Sequence, residues 1–171
     1  PYAQSKFEIE QKIDAYFQQG AEFLSLRFFN VYGPEQRLDS NYGAVVPIFI
    51  DRYTQGIQPT IYGSGKQSRD FVNVRDVSRL LVDLSIGEWA QPKQSVYNVG
   101  TGQSVTITEL ASLIHELSQS NLAFEPSFQT QRAGDIEHSV ASIEAIRRDF
   151  NWKPEISLEN GLRELIEVDS S

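Results

Sequence analysis

The sequence of 171 residues predicts an α/β fold, and two neighbouring patterns support that prediction. Residues spaced four, three, four and three apart outline one face of a helix that ends near Gly20: Tyr2, Lys6, Ile9, Ile13 and Tyr16. The mostly apolar run 23–31 follows a short loop and is long enough for a strand buried on both faces. A helix that leads into a buried parallel strand is the repeating unit of α/β proteins.

The rest of the chain alternates helical and extended patterns. The predicted elements are a largely buried helix 44–55, a strand 59–62, an extended segment 71–74, a helix 75–86, a strand 95–99, a helix 106–118, a strand 122–128 and terminal helices 142–150 and 157–168. The helix before residue 87 is expected to bury four aliphatic side chains: Val77, Leu80, Leu81 and Leu84. Thr106 and Glu109 have the spacing of a capping box, which begins the next helix.

The number of strands is small for a doubly wound sheet. Strands 23–31 and 95–99 need parallel neighbours, and the sequence pattern indicates none for them. The chain also contains no Met and begins with Pro1, immediately before a candidate catalytic tyrosine. We therefore expect it to be cut from a longer protein.

Composition excludes several functional classes. A hydrophobic content of 40% predicts one globular domain, and no apolar run approaches the ~18 residues of a membrane helix. The net charge of −8 argues against a nucleic-acid partner, because affinity for a phosphate polymer comes chiefly from Lys and Arg. The chain has no Cys, and its two histidines, His115 and His138, lie far apart without clustered carboxylates. We expect no metal site, and a soluble, cytoplasmic protein.

Tyr2 and Lys6 are the candidate catalytic pair. Residues four apart lie on one face of a helix, about one turn from each other. A free phenol loses its proton near pH ~10, and a neighbouring ammonium lowers that pKa by stabilising the phenolate. Tyr2 could then act as a general base that Lys6 tunes. The alternative from this spacing alone is an amphipathic helix start with a solvated lysine.

Six ordered motifs resemble the extended short-chain dehydrogenase/reductases that act on nucleotide sugars. They are YAQSK at 2–6, LRFFNVYGP at 26–34, IYGSGKQSRDFV at 61–72, YNVGTG at 97–102, RAGD at 132–135 and WKP at 152–154. The resemblance covers essentially the whole chain. Within the family it is most similar to the UDP-sugar 4-epimerases.

The sequence lacks the G-x-x-G-x-x-G loop that holds the dinucleotide pyrophosphate, and 63–65 is too short and wrongly flanked to replace it. The resemblance therefore implies the C-terminal half of such an enzyme. The implied fold is an incomplete Rossmann-like one, with its last parallel strands and a smaller substrate-binding domain. Segments 1–43 and 70–100 would belong to the Rossmann sheet, and 44–69 and 101–171 to the substrate-binding part.

The resemblance also implies the chemistry and the cofactor, NAD. Tyr2 would take the proton from the sugar 4-hydroxyl while the C4 hydride goes to NAD and later returns to the other face. Lys6 would hold the nicotinamide ribose and lower the pKa of Tyr2. Phe28 and Phe29 would lie beside the nicotinamide, so all four residues are expected at the cofactor.

For the UDP-sugar substrate, the resemblance implies that Asn30 binds a phosphate, that Arg69 and Arg132 clamp the diphosphate, and that Asp135 accepts from the ribose. Four residues would line the uracil pocket: Val45, Thr60, Tyr62 and Val105. Without the family pattern there are simpler alternatives. Arg69 could pair with Asp70, Asn30 could be a turn residue and Asp135 a loop residue.

Ser139 follows Asp135 by four residues, where the epimerases carry a gatekeeper against the sugar 2-position. A small residue there predicts room for an N-acetyl group. Two functions compete with the epimerase: a 4,6-dehydratase or UDP-glucuronate decarboxylase of the same family, and a non-catalytic UDP-sugar-binding fragment. The full-length family also implies a homodimer, for which Phe7, Ile13 and Phe17 could supply apolar surface.

Overall fold

The computed structural model describes residues 2–36, 45–87, 92–131 and 133–169. Within these ranges helices and strands follow in the order α1 Tyr2–Phe17, β1 Ser25–Phe28, β2 Asn30–Tyr32, α2 Val45–Thr54, β3 Thr60–Tyr62, β4 Ser68–Arg69, β5 Phe71–Asn73, α3 Val74–Ile86, β6 Val96–Val99, β7 Val105–Thr106, α4 Ile107–Leu117, β8 Ser127–Gln129, α5 Glu144–Phe150 and α6 Leu158–Asp169. The α/β prediction is confirmed.

The strands form four pairs. β1 pairs with β6, β2 with β5 and β3 with β8 in parallel, and β4 pairs with β7 in antiparallel orientation. The expectation that strands 23–31 and 95–99 lack parallel neighbours is wrong, because Ser25 is in register with Val96 and the two strands pair with each other. The expectation of one strand over 23–31 is also wrong, since it breaks at Phe29 into β1 and β2, which have different partners.

Burial of this region also differs from the prediction. β1 is half-buried at its start and exposed at its end, where 47% of Phe28 is accessible, so it is not buried on both faces. The apolar composition of this run predicted burial, but the described residues of this chain do not cover the end of β1.

Two hydrophobic clusters hold the elements together. The larger joins α2, α4 and α6 to β3 and β5, with Phe49, Ile61 and Leu110 among its buried members. The smaller joins α3, β6 and α5, and Trp152 packs into it. α5 therefore packs on a strand that the predicted division of the chain assigns to the other part, and that division remains a proposal.

The helix ends show which local signals the sequence carries. The capping box is present: Thr106 Oγ1 accepts from Glu109 N at 3.1 Å, and Thr106 N donates to the Glu109 carboxylate at 2.8 Å. In α3, Val77 and Leu80 are buried as predicted, but Leu81 is 43% exposed because it lies on the solvent side. The strand expected over 122–128 is shorter and later, at Ser127–Gln129.

Polar contacts attach α1 to the first parallel pair of strands. Arg27 of β1 donates to both carboxylate oxygens of Glu10, at 2.7 and 2.5 Å, and this hydrogen bonding lowers the pKa of Glu10. Ser95, just before β6, donates to Asp14 at 2.6 Å. These contacts fix α1, and with it the backbone of Tyr2 and Lys6, against the strand that carries Phe28.

None of the described helices is both long enough and apolar enough to cross a membrane.

Candidate substrate-binding cleft

A cleft of about 340 Å³ opens between α2, β3, β4 and the loop after residue 132. Six of the predicted substrate residues line it: Asn30, Val45, Thr60, Tyr62, Arg69 and Asp135. The apolar part of its wall comes from α2, β3 and α4 through Phe49, Ile61 and Ile107. The cleft thus combines apolar walls with a small number of polar groups, which is the usual composition of a small-molecule site.

Backbone hydrogen bonds place the polar groups of the cleft. Asn30 N donates to Asp70 O at 2.9 Å, which holds the start of β2 beside the end of β4. Ser68 N donates to Glu137 O at 2.8 Å, and Ser139 N donates to Ser68 O at 3.1 Å. These bonds bind the loop that carries Asp135 directly against the strand that carries Arg69.

Arg69 and Asp135 form an ion pair in the cleft. One terminal nitrogen of Arg69 donates to the Asp135 carboxylate, and the other donates to Ser68 O at 2.8 Å. Their side chains are 15% and 24% exposed, so the guanidinium is fixed in position yet reachable from solvent. Because arginine presents several donors in a rigid fork, it remains able to bind the oxygens of a phosphate.

Asp70, the partner that the simpler interpretation gave Arg69, has another role. It is fully buried, and its carboxylate accepts from Thr101 N at 2.8 Å, Gly102 N at 2.9 Å and Ala141 N at 3.1 Å, and also from the Thr101 hydroxyl. The alternative interpretation, in which Arg69 pairs with Asp70 in a salt bridge, is therefore wrong.

The same contacts show whether the turn after β6 could bind the pyrophosphate of NAD. The turn Gly100–Gly102 follows β6, and its backbone N–H groups are the kind that bind a pyrophosphate. The Asp70 carboxylate already occupies them, and a Cβ at Gly100 would lie 2.7 Å from it. The residues present therefore do not fit the pyrophosphate of NAD at this turn.

Four other predicted residues that the structure describes lie outside the cleft lining. Val105 is in β7 opposite Arg69 in register and packs toward the larger core, and Ser139 is half-buried beside Ser68. Phe28 ends β1, and Phe29 follows it and donates through N to Val99 O at 3.0 Å. Their roles remain proposals.

Of the predicted catalytic pair, both residues lie in α1, and Lys6 is exposed. The side chain of Tyr2 and all of Arg132 lie outside the described residues.

Two further side chains have structural explanations. Tyr32 ends β2, and burial raises its pKa to about 12, so it stays protonated at neutral pH. His115 contacts Leu122 O through Nε2 at 2.9 Å and packs edge-on against Tyr53. Among the described residues no His, Asp and Glu side chains cluster as a metal site.

Gln67 is a cleft residue that the sequence interpretation missed. It is 7% exposed, lines the cleft, and donates through Nε2 to Tyr62 O at 2.5 Å. A signal was available, because residues two apart in an extended segment point to the same side and Gln67 precedes Arg69 by two.

Comparison with known proteins identifies related sequences. The model of the NAD-dependent epimerase/dehydratase family matches residues 1–100. A provisionally named UDP-glucose 4-epimerase from Methanocaldococcus jannaschii is 34% identical over 97% of this chain and 52% of its own length. UDP-glucuronic acid decarboxylase 1 from Xenopus tropicalis is 35% identical over 96% of this chain and 38% of its own length.

A solved structure has the same fold. The UDP-glucose 4-epimerase of Thermotoga maritima, crystallised with UDP-glucose, superposes with a TM-score of 0.87 at 32% identity. The match covers 99% of this chain and 53% of that one. The chain therefore spans about half the length of these relatives, or less.

Proposed function

The chain belongs to the NAD-dependent epimerase/dehydratase family, and on that premise we propose that it carries the substrate cleft and the Tyr2–Lys6 pair of a UDP-sugar 4-epimerase. The observation that carries the proposal is the fixed, accessible guanidinium of Arg69 in a cleft with apolar walls. The epimerase relatives, one of them crystallised with UDP-glucose, support this choice of substrate class.

In the proposed complex, Arg69 binds the diphosphate and releases Asp135 to accept a ribose hydroxyl. The exchange keeps both groups paired, because a phosphate replaces the carboxylate on Arg69 and a hydroxyl replaces the guanidinium on Asp135. Asn30, at the mouth of the cleft, can donate to a phosphate oxygen. The base lies between β3 and α2, where Thr60, Tyr62 and Val45 line the wall.

In the proposed reaction, Tyr2 removes the proton of the sugar 4-hydroxyl and returns a proton when the sugar has turned. Lys6 lies one helical turn further along α1 and favours the phenolate by its charge. Hydride acceptance and return at C4 is the chemistry that NAD supplies when bound. The attachment of α1 to Arg27 and Ser95 keeps the base in a constant position relative to the end of β1.

The sequence has no glycine-rich pyrophosphate loop, so we propose that the 171-residue chain alone binds UDP, fails to bind NAD and is inactive. Isothermal titration with UDP and with NAD tests this. Saturable UDP binding without NAD binding supports the proposal, and strong NAD binding contradicts the account of the missing loop. Absence of UDP binding contradicts the assignment of the cleft.

A decarboxylase or 4,6-dehydratase is the second candidate within the family, and the 35% identity to the Xenopus decarboxylase favours keeping it. An epimerase and these alternative enzymes would share the cleft and would differ in the product that they release. Fusing this chain to the N-terminal half of a relative and following UDP-glucose and UDP-glucuronate by NMR separates them. An epimerase gives UDP-galactose from UDP-glucose without loss of carbon, whereas a decarboxylase releases carbon dioxide from UDP-glucuronate.

A non-catalytic UDP-sugar-binding role is the candidate from another class, and it predicts that the fusion binds UDP without turnover of either sugar. Homodimer formation and a cytoplasmic location remain predictions.

A further inference from the structure

Gln67 is a buried polar side chain at the cleft for which the proposed mechanism has no use. It lies between β3 and β4, is 93% buried from its exposed fraction of 7%, and follows the tight turn that contains Gly63 and Gly65. A carboxamide in such a place costs free energy unless its polar atoms have partners. The hydrogen bonds of Gln67 therefore show which of its polar atoms the protein itself satisfies.

One edge of the carboxamide is fixed by the protein. Tyr62 O can only accept, so the group that faces it at 2.5 Å is the amide nitrogen. This bond orients the side chain, and it directs Oε1 away from the backbone of β3. The backbone of Gln67 is separately engaged, since its carbonyl accepts from Ile107 N at 3.0 Å.

The other edge of the carboxamide lacks a partner. In the part of the chain that the structure describes, Oε1 accepts no hydrogen bond, although Gln67 lines the cleft beside Arg69 and Asp135. The neighbouring wall is apolar, formed by Ile61 and Ile107. An oriented acceptor without a protein partner favours ligands that present a donor over ligands that do not.

We propose that Gln67 Oε1 accepts a hydrogen bond from an N–H or O–H donor of the bound nucleoside and so contributes to the choice of nucleotide. The inference rests on the proposed function, because it needs a nucleoside diphosphate in the cleft. Two donors have the required chemistry: the imide N–H of a uracil or thymine base, and a ribose hydroxyl. Cytosine has no imide proton, so a contact to the base would favour UDP over CDP.

The test compares ligands that each lack one donor. Binding of UDP, 3-methyluridine diphosphate, 2′-deoxy-UDP and 3′-deoxy-UDP to the 171-residue chain and to its Gln67→Met variant is measured by isothermal titration. For UDP, the substitution is expected to weaken binding roughly three- to tenfold, the usual effect of one hydrogen bond. For the ligand that lacks the group that donates to Gln67 Oε1, the substitution is expected to leave the affinity unchanged.

This design separates direct contact from a change in structure. Gln67→Met also removes the bond to Tyr62 O, and a merely structural effect would weaken all four ligands by the same factor. Gln103→Met, on the exposed turn after β6, is the matched control and should leave all affinities unchanged. Circular dichroism and the thermal midpoint verify that both variants fold; if Gln67→Met does not, Gln67→Leu replaces it.

Each outcome decides the matter. Loss of the Gln67 effect with 3-methyluridine diphosphate identifies the base as donor, and its loss with a deoxy ligand identifies the ribose; both support the proposal. Equal weakening of all four ligands, or no weakening, overturns it and leaves the proposed function intact. Failure of the unsubstituted chain to bind UDP overturns both.

Discussion

Arg69 and Asp135 are 66 positions apart in the sequence and form an ion pair at the centre of the cleft. The pair keeps the guanidinium oriented before a ligand arrives, which reduces the entropy that binding must overcome. It also means that an incoming diphosphate competes with a carboxylate. The proposed diphosphate would therefore have to displace Asp135 from Arg69.

We predict that Arg69→Met weakens UDP binding by about 1.5–3 kcal/mol, or roughly ten- to hundredfold, because it removes charge-assisted hydrogen bonds to the diphosphate. Isothermal titration measures the change. Arg163→Met is the matched control, since Arg163 is an exposed arginine of α6 paired with Glu159 and its loss changes the net charge equally. Equal weakening by both substitutions would show that only the overall charge matters.

The double variant Arg69→Met/Asp135→Asn distinguishes a lost contact from a newly unpaired carboxylate. We predict that it unfolds at nearly the same urea concentration as the unsubstituted chain and still binds UDP poorly. Recovery of UDP affinity in the double variant would mean that repulsion by Asp135, and not loss of an arginine contact, caused the weakening.

We predict that Asp70→Ala lowers the free energy of unfolding by about 3 kcal/mol or more, because it removes a fully buried carboxylate that accepts from three N–H groups and one hydroxyl. Urea denaturation measures this loss. Asp51→Ala is the control, since that carboxylate accepts one bond, from Gln55 on the exposed side of α2, and its loss should cost well under ~1 kcal/mol. Similar losses in the two variants would contradict the role of Asp70 as the anchor of the Gly100–Gly102 turn.

The lowered pKa of Asp149 predicts that the folded protein loses stability as the pH falls. Its carboxylate is 2% exposed and accepts from Arg148 at 2.7 Å and from the Tyr97 hydroxyl at 2.7 Å, which lowers its pKa from 3.8 to about 2. A depressed pKa contributes stability that is complete above about pH 5 and is lost as the pH falls toward 2. The difference in unfolding free energy between the chain and Asp149→Asn should therefore shrink over that range.

Subtracting the two curves removes the effect of carboxylates that the variants share. A difference that stays constant between pH 7 and pH 2 would show that Asp149 is not selectively stabilised as an anion in the folded protein.

Ser139 carries a prediction about the sugar. If it is the gatekeeper at the sugar 2-position, the complete enzyme should turn over UDP-N-acetylglucosamine as well as UDP-glucose, because a serine leaves room for the acetyl group. Ser139→Tyr should lower the kcat/KM ratio for the acetylated over the plain sugar by about tenfold or more. Ser142→Tyr, at an exposed position nearby, should not change that ratio. Turnover of UDP-glucose alone by the unsubstituted enzyme would refute the assignment.

Local signals made parts of this fold predictable from the sequence. The capping box of Thr106 and Glu109 is confirmed because both of its hydrogen bonds lie within one turn of chain. The strand break at Phe29 was not predictable, since the apolar run continues across it and the change of partner depends on β5 and β6. The exposure of Leu81 was not predicted, because spacing alone does not show how wide the buried face of α3 is.

The cleft shows the same division between local and distant information. The family motifs predicted Arg69 and Asp135 separately, and the structure adds that they pair with each other. Asp70 adjoins Arg69 in sequence, but its carboxylate oxygens accept hydrogen bonds from a turn 31 residues away. No local sequence pattern reveals that contact. Gln67 was missed because a glutamine in a loop has no chemistry of its own to single it out; its spacing of two from Arg69 was the available signal, and the structure places it in the cleft lining.

A crystal structure of the chain with UDP would show which groups Arg69 and Asp135 bind when the cleft is filled. We predict a diphosphate bound to Arg69 and a ribose hydroxyl bound to Asp135, with the ion pair between the two side chains broken. UDP bound elsewhere, or the Arg69–Asp135 pair intact beside an ordered nucleotide, would contradict this prediction.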